Sequence, residues 1–147
     1  MVVSGVPGPR VQQTLRAALT LPGLTDVPRR HLHLDVHRGD EGTYRHHYGL
    51  ALAVAIASAL GCQPVPEGVL FVGDVGLDGR VTDVPAKLVD GLNDALATFV
   101  IETPVTILLA PGGAAWVDGS STVRVVPVET LARAVGAIWP NARLWPW

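Results

Sequence analysis

Apolar residues recur at helical spacing in four segments of the chain. A period of 3.6 residues predicts a helix over Val11–Leu21, which a Pro-Gly pair ends. The continuous apolar run over Gly49–Leu60 predicts a buried helix, because twelve residues are too few to cross a bilayer. A proline at the first turn favours a helix over Pro85–Thr98, and the last helical pattern covers Val128–Ile138.

Strand-like segments alternate with these helices. Arg30–His37 switches strictly between apolar and polar residues, which predicts a half-buried strand. Val69–Val72 predicts a second strand, and a glycine-rich turn connects it to a short returning strand over Arg80–Val84. Val105–Leu109 and Val123–Val126 complete the set. This alternation predicts one α/β domain over residues 1–138, followed by a Trp-rich tail over 139–147.

The composition agrees with one folded domain that has no disulfide framework. The chain has 147 residues, of which 48% are hydrophobic and 16% charged, so it can bury a sizeable core. Its one cysteine, Cys62, excludes an intramolecular disulfide. The first residues lack the basic and apolar regions of a signal peptide. We therefore expect a cytoplasmic location and no membrane role.

The charge is small overall but unevenly distributed. The formal net charge is −2. Residues 1–47 nevertheless contain six arginines and only four carboxylates, and they also contain all five histidines of the chain. Four of these arginines flank the predicted first strand and are candidates for contacts with nucleic-acid phosphates. They are Arg29, Arg30, Arg38 and Arg45. The alternative is an ordinary solvated surface.

One face of the predicted first strand carries metal-ligating residue types. His31, His33, Asp35 and His37 alternate with apolar residues, and His with Asp suits zinc or nickel. Side chains two residues apart on a strand lie about 7 Å apart, so two can share an ion more easily than four. The alternative is a solvated strand face.

Two further features each have a structural and a functional interpretation. The segment Gly73–Gly79 is glycine-rich, but it joins two strands, so we predict a hairpin turn and not a phosphate cradle. Asp74, Asp78 and Asp83 are then turn and surface residues. The tail carries Trp139, Trp145 and Trp147, which either pack on their own domain or anchor an interface with another subunit.

The motifs between His31 and Val84 resemble the proteolytic domain of the Lon protease family. The strand HLHLDVHRG, the helix GLALAVAIASALGCQPV and the run VGDVGLDGRV match that family's pattern without a gap. The resemblance extends over about residues 5–138. It implies a two-layer α/β fold with a mixed sheet and helices mainly on one side, as in the ribosomal-protein-like superfamily to which Lon domains belong.

The same resemblance implies that the family's Ser–Lys dyad is lost. The nucleophilic serine position falls on His47, a helper threonine on Val72, and the lysine on Asp90, or on Gly91 with a shift of one. A hydroxyl nucleophile needs an amine or imidazole base beside it, and these positions supply neither partner of the original pair.

Other residues do not restore that dyad in the sequence. Ser58 matches a structural serine of the family, and the only lysine, Lys87, lies about one helical turn from the expected place. A relocated hydrolase site would use His47 with Asp90 or with Lys87. We predict instead a degenerate site.

Two non-peptidase families resemble the chain more closely than the Lon peptidase does. The phrase AVAIASAL…QPVPEGVLFVGDVGLDGRV is similar to the Lon-like domain of the RadA family, and GVPGPRVQQTLRAAL is similar to the first domain of the ComM family. Both families carry an ATPase module, whereas this chain has no GxxxxGK[ST] loop. The resemblance implies a non-peptidase module for assembly, with no cofactor, linked to DNA recombination, repair or uptake. Its partner would be a ring ATPase acting in trans or a second copy. A relocated hydrolase and a metal-binding domain are the alternatives.

Overall fold

The computed structural model describes residues 3–4, 9–21, 32–33, 47–98 and 102–140, and within them the chain is an α/β protein. The elements alternate along the second half, as strand, helix, strand, helix, strand, helix. The helices are α1 Pro9–Leu19, α2 Gly49–Gly61, α3 Ala86–Thr98, α4 Pro111–Ala114 and α5 Leu131–Ile138. The strands are β1 Val3–Ser4, β2 Leu32–His33, β3 Val69–Phe71, β4 Val105–Leu109 and β5 Val123–Pro127.

The strands form two parallel sheets. The larger sheet has the order β3-β4-β5, with Val69 opposite Thr106 and Val105 opposite Val123. The smaller pairs β1 with β2. Parallel neighbours need a crossover connection, and α3 and α4 lie in the two connections of the larger sheet.

The central strand β4 separates two hydrophobic clusters. Leu108 belongs to the cluster that contains residues of α1, α2 and α5, which we call the α2 cluster. Ile107 and Leu109 belong to the cluster that contains residues of α3, which we call the α3 cluster. All three side chains are fully buried. Because successive side chains of a strand point to opposite faces, the sheet is covered by helices on both faces.

This arrangement corrects the predicted layers. The α/β class is confirmed. Three of the described helices, α1, α2 and α5, pack in the cluster on one face of β3-β4-β5, and α3 packs in the cluster on the other face, so the predicted two layers are three in this part of the chain. The described strand pairs are all parallel, and antiparallel pairing occurs there only as isolated bridges, Val75 with Val81 and Arg80 with Thr130. The predicted mixed sheet is therefore not seen in this part of the chain. Parallel strands of this kind are buried on both faces.

Most elements lie where the hydrophobic pattern puts them. The helix predicted over Gly49–Leu60 ends one residue later, at Gly61, and Val105–Leu109 is a strand with the predicted bounds. The returning strand predicted over Arg80–Val84 is replaced by the two bridges. Among the described residues, no helix combines the length and the apolar character that crossing a membrane requires.

Trp139 packs against its own domain. It is 8% exposed in the cluster around α2, and its indole Nε1 donates to the carbonyl oxygen of Pro64 at 2.9 Å. A buried indole needs such an acceptor, and the carbonyl of Pro64 provides it from the segment after α2. Of the two alternatives for Trp139, packing on its own domain is therefore the one found, and the anchoring of another subunit is not. Trp145 and Trp147 lie outside the described residues.

Replacing Trp139 by phenylalanine tests this contact. We expect the free energy of unfolding to fall by about 1 kcal/mol, because the apolar burial is largely kept while the hydrogen bond to Pro64 is lost. Trp116→Phe is the matched control, since Trp116 is 76% exposed and is expected to change stability by less than about 0.5 kcal/mol. Urea denaturation measures both variants, and equal stabilities would contradict the assignment.

Candidate functional site

The segment that leads into α2 is bound by backbone hydrogen bonds to the segment that follows β3. The amide of Gly73 donates to the carbonyl of His47 at 2.9 Å, and the amide of Leu50 donates to the carbonyl of Gly73 at 2.9 Å. Gly73 has a φ of 122°, a conformation that side-chain-bearing residues rarely adopt. These contacts define the α2 junction, which we take as residues 47–50 with 72–74.

Asp74 caps α2 from across the junction. Its Oδ1 accepts the amide hydrogen of Gly49 at 3.1 Å, whereas Tyr48, at the N-cap position, makes no side-chain cap. The carbonyl of Asp74 also accepts from both the amide and the hydroxyl of Thr82, at 2.9 and 3.2 Å. A carboxylate at a helix N-terminus satisfies an otherwise unpaired amide and interacts favourably with the helix dipole.

This capping role of Asp74 was not predicted from the sequence. Its place in a glycine-rich turn favoured a surface position, but the side chain is half-buried and lies against Gly49. The available signal was the match of Gly73-Asp74 to the Gly-Glu of the resembled family. Helix capping is usually local, and here cap and helix are 25 residues apart.

Removing the carboxylate tests this cap. We expect Asp74→Ala to lower the free energy of unfolding by about 1–2 kcal/mol, because the first turn of α2 loses an acceptor. Asp94→Ala is the matched control, as Asp94 is exposed on α3, and we expect an effect below about 0.5 kcal/mol. Thermal and urea unfolding measure both, and a stability of Asp74→Ala equal to that of Asp94→Ala would refute the cap.

The residues that the resemblance predicts at catalytic positions occupy three different settings. His47 is half-buried at the α2 junction, where its carbonyl accepts from the amide of Gly73, the residue before Asp74. Val72 packs into the α3 cluster, with its amide bonded to the carbonyl of Leu108 at 3.0 Å. Asp90 and Lys87 are exposed on α3. The hydrogen bonds and ion pairs of the described residues include none between His47 and either of these two, so the relocated pair stays a prediction.

Two of the serines have local structural partners. The Ser58 hydroxyl donates to the carbonyl of Gln63 at the C-terminal end of α2. The Ser120 oxygen accepts the amide hydrogens of Thr122 and Val123, at 3.3 and 3.1 Å, and so shapes the turn before β5. Ser58 lies at the other end of α2 from His47, and these contacts give both hydroxyls a structural role.

The predicted metal and phosphate contacts fall largely outside the described residues. His31, Asp35 and His37 lie outside them, as do Arg29, Arg30, Arg38 and Arg45. Only the backbone of His33 is described, in β2. Within the described part of the chain, no group of three or more His, Cys, Asp or Glu side chains is placed to hold a metal ion.

No protein-family model matches the chain, and a search of the curated proteins finds no match either. The likeness to Lon domains therefore rests on the residues of the three motifs. Two of these motifs, α2 and the run from Val72 to Val81, lie side by side in the structure and are bonded at the α2 junction. The junction brings the imidazole-bearing residue His47 and the carboxylate of Asp74 into one segment of the structure.

Proposed function

We propose that this chain is a non-peptidase Lon-like module that acts by assembly with protein partners, linked to DNA recombination, repair or uptake. One observation supports the first part best. The α2 junction, which corresponds to the family's nucleophile position, presents His47 where a hydroxyl would be needed, and its neighbouring carboxylate, Asp74, caps the helix.

The groups at the junction argue against a Ser–Lys mechanism there. A Ser–Lys mechanism needs a hydroxyl in hydrogen-bond reach of an amine. The hydroxyls of Ser58 and Ser120 are bonded to backbone groups elsewhere, and the only lysine, Lys87, is exposed on α3. A binding function requires none of these groups to react.

The link to DNA metabolism comes from the resemblance to RadA-like and ComM-like domains. Those families join such a domain to an ATPase, and this chain has no phosphate-binding loop of that type. We propose that this module works together with an ATPase of that kind.

A cleavage assay tests the proposal. The purified protein is incubated with a fluorogenic peptide mixture and with unfolded casein, beside its His47→Ala and Lys87→Met variants. We expect the same background signal from all three proteins. Cleavage by the unaltered protein that falls at least about tenfold in either variant would establish a relocated hydrolase and overturn the proposal.

A further inference from the structure

Aspartate is directly followed by glycine at three places in the chain. These are Asp78-Gly79, Asp90-Gly91 and Asp118-Gly119. A glycine after aspartate favours closure of a succinimide ring, because it has no side chain to keep its backbone nitrogen away from the aspartate carboxyl group. All three aspartates are exposed, so the fold around each glycine distinguishes them.

Ring closure and opening consume no reagent other than water. The glycine amide nitrogen bonds to Cγ of the aspartic acid, and the carboxyl hydroxyl leaves with the amide proton as water. Water then adds to one of the two carbonyl carbons that the nitrogen joins. Addition at Cγ breaks the new C–N bond and restores aspartate. Addition at the backbone carbonyl carbon breaks the original peptide bond and leaves isoaspartate, with the chain running through Cγ.

Hydrogen bonds protect the first two dipeptides, because a bonded amide must lose its partner before it can react. The buried amide of Gly79 donates to the carbonyl of Gly76 at 2.9 Å. The neighbouring carboxylate is also held, since Oδ1 of Asp78 accepts the amide hydrogen of Arg80 at 3.1 Å. Gly91 lies inside α3, where each amide donates to the carbonyl four residues before it.

Asp118-Gly119 lacks these restraints. Both residues are exposed, and in the described part of the chain no hydrogen bond or ion pair involves the Gly119 amide or the Asp118 carboxylate. The amide of Asp118 itself donates to Oδ1 of Asn93 at 2.8 Å. The chain is therefore anchored before Asp118, and the two groups that must react lie after the anchor.

We propose that Asp118 is a site of spontaneous isoaspartate formation, and that its product is a substrate for a carboxyl methyltransferase. Isomerisation frees the α-carboxylate of residue 118 on an exposed loop. An oxygen of that carboxylate takes the methyl group from the sulfonium of S-adenosylmethionine, which leaves as a thioether. The same change adds one carbon to the backbone between the contact with Asn93 and strand β5. This inference does not depend on the proposed function.

Incubation of the native protein in water enriched in heavy oxygen tests the site. Each cycle of ring closure and opening places one heavy oxygen in the aspartate or isoaspartate. Digestion in ordinary water at acidic pH and fragmentation in a mass spectrometer then locate it. We expect Asp118 to be labelled at least about fivefold faster than Asp78 or Asp90, the factor that corresponds to one ordinary hydrogen bond.

A variant pair and a denatured sample provide the controls. Asp118→Glu should abolish the label at position 118, because glutamate must close a larger ring, whereas the matched variant Asp78→Glu should retain it. Methyl transfer from radiolabelled S-adenosylmethionine by a purified isoaspartyl methyltransferase should fall by most of its value in Asp118→Glu only. In urea, where the protecting hydrogen bonds are lost, the three sites should be labelled at similar rates. Circular dichroism checks that both variants are folded.

Three results would overturn the proposal. The first is equal labelling of the three sites in the native protein, and the second is the same preference for Asp118 in urea, which would assign it to local sequence. The third is undiminished methylation of Asp118→Glu, which would place the isoaspartate elsewhere in the chain.

Discussion

Replacing Ile107 by alanine and, separately, Leu108 by alanine is expected to lower the free energy of unfolding by about 2–5 kcal/mol each. The two residues are adjacent in β4, and both are 0% exposed. Ile107 lies in the α3 cluster and Leu108 in the α2 cluster, so each substitution opens a cavity in a different core. A large loss of unfolding free energy at both of two adjacent strand positions requires that both faces of the sheet be covered.

Urea denaturation of the two variants measures this directly, with Leu70→Ala as the matched control. Leu70 lies in β3 and is 46% exposed, so its truncation is expected to cost less than about 1 kcal/mol. A two-layer fold makes a different prediction, in which one of the two β4 variants is as mild as the control. That result would contradict the arrangement described here.

Gly73→Ala is expected to have the second large effect, a loss of about 2–3 kcal/mol. The glycine has a φ of 122°, and an added Cβ would lie 3.1 Å from the carbonyl oxygen of Thr82. An alanine there adopts a strained backbone or moves the peptide away. Either response weakens the hydrogen bonds that Gly73 exchanges with His47 and Leu50.

Gly136→Ala is the matched control, and it should change stability in the opposite direction. Gly136 lies in α5, is exposed, and has no heavy atom within 4 Å of the added Cβ. Alanine is favoured over glycine in a helix by about 0.5–1 kcal/mol, so Tm should rise. A Gly73→Ala protein as stable as Gly136→Ala would show that the α2 junction does not need this backbone conformation.

The helices and central strands were predictable because their patterns are long and strong. Nine of the thirteen residues of α2 and three of the five residues of Val105–Leu109 are buried, and their length separates the longer run as a helix from the shorter run as a strand. The structure of Arg80–Val84 was not predictable in the same way. A short strand was predicted there, but Arg80 and Val81 form single bridges to Thr130 and Val75, which lie in different parts of the chain. β1 was not predicted, since two residues carry no period.

The layers and the surface were harder to predict than the elements. Ile107 and Leu108 are both apolar, so the sequence shows that β4 is buried but not that two separate cores bury it. Trp139 and Trp116 are the same residue type, and only the carbonyl of Pro64 and the exposed loop after α4 distinguish their roles. Asp74 and Asp78 both follow glycine-rich sequence, yet only the fold brings Asp74 to the first turn of α2.

The α2 junction is a structural contact between two distant segments of the chain. His47, Gly73 and Asp74 are bonded through backbone groups and one carboxylate, which fix the start of a buried helix. Such contacts depend on backbone geometry more than on side-chain reactivity.

Affinity capture tests the central claim most directly. The tagged protein is incubated with extract of its source cell, with and without nuclease, and the retained proteins are identified by mass spectrometry. We predict that a ring ATPase or recombination protein is retained in both conditions, and that it binds the purified module saturably on its own. Retention of only unfolded polypeptides, together with their cleavage by the unaltered protein but not by His47→Ala, would contradict the claim.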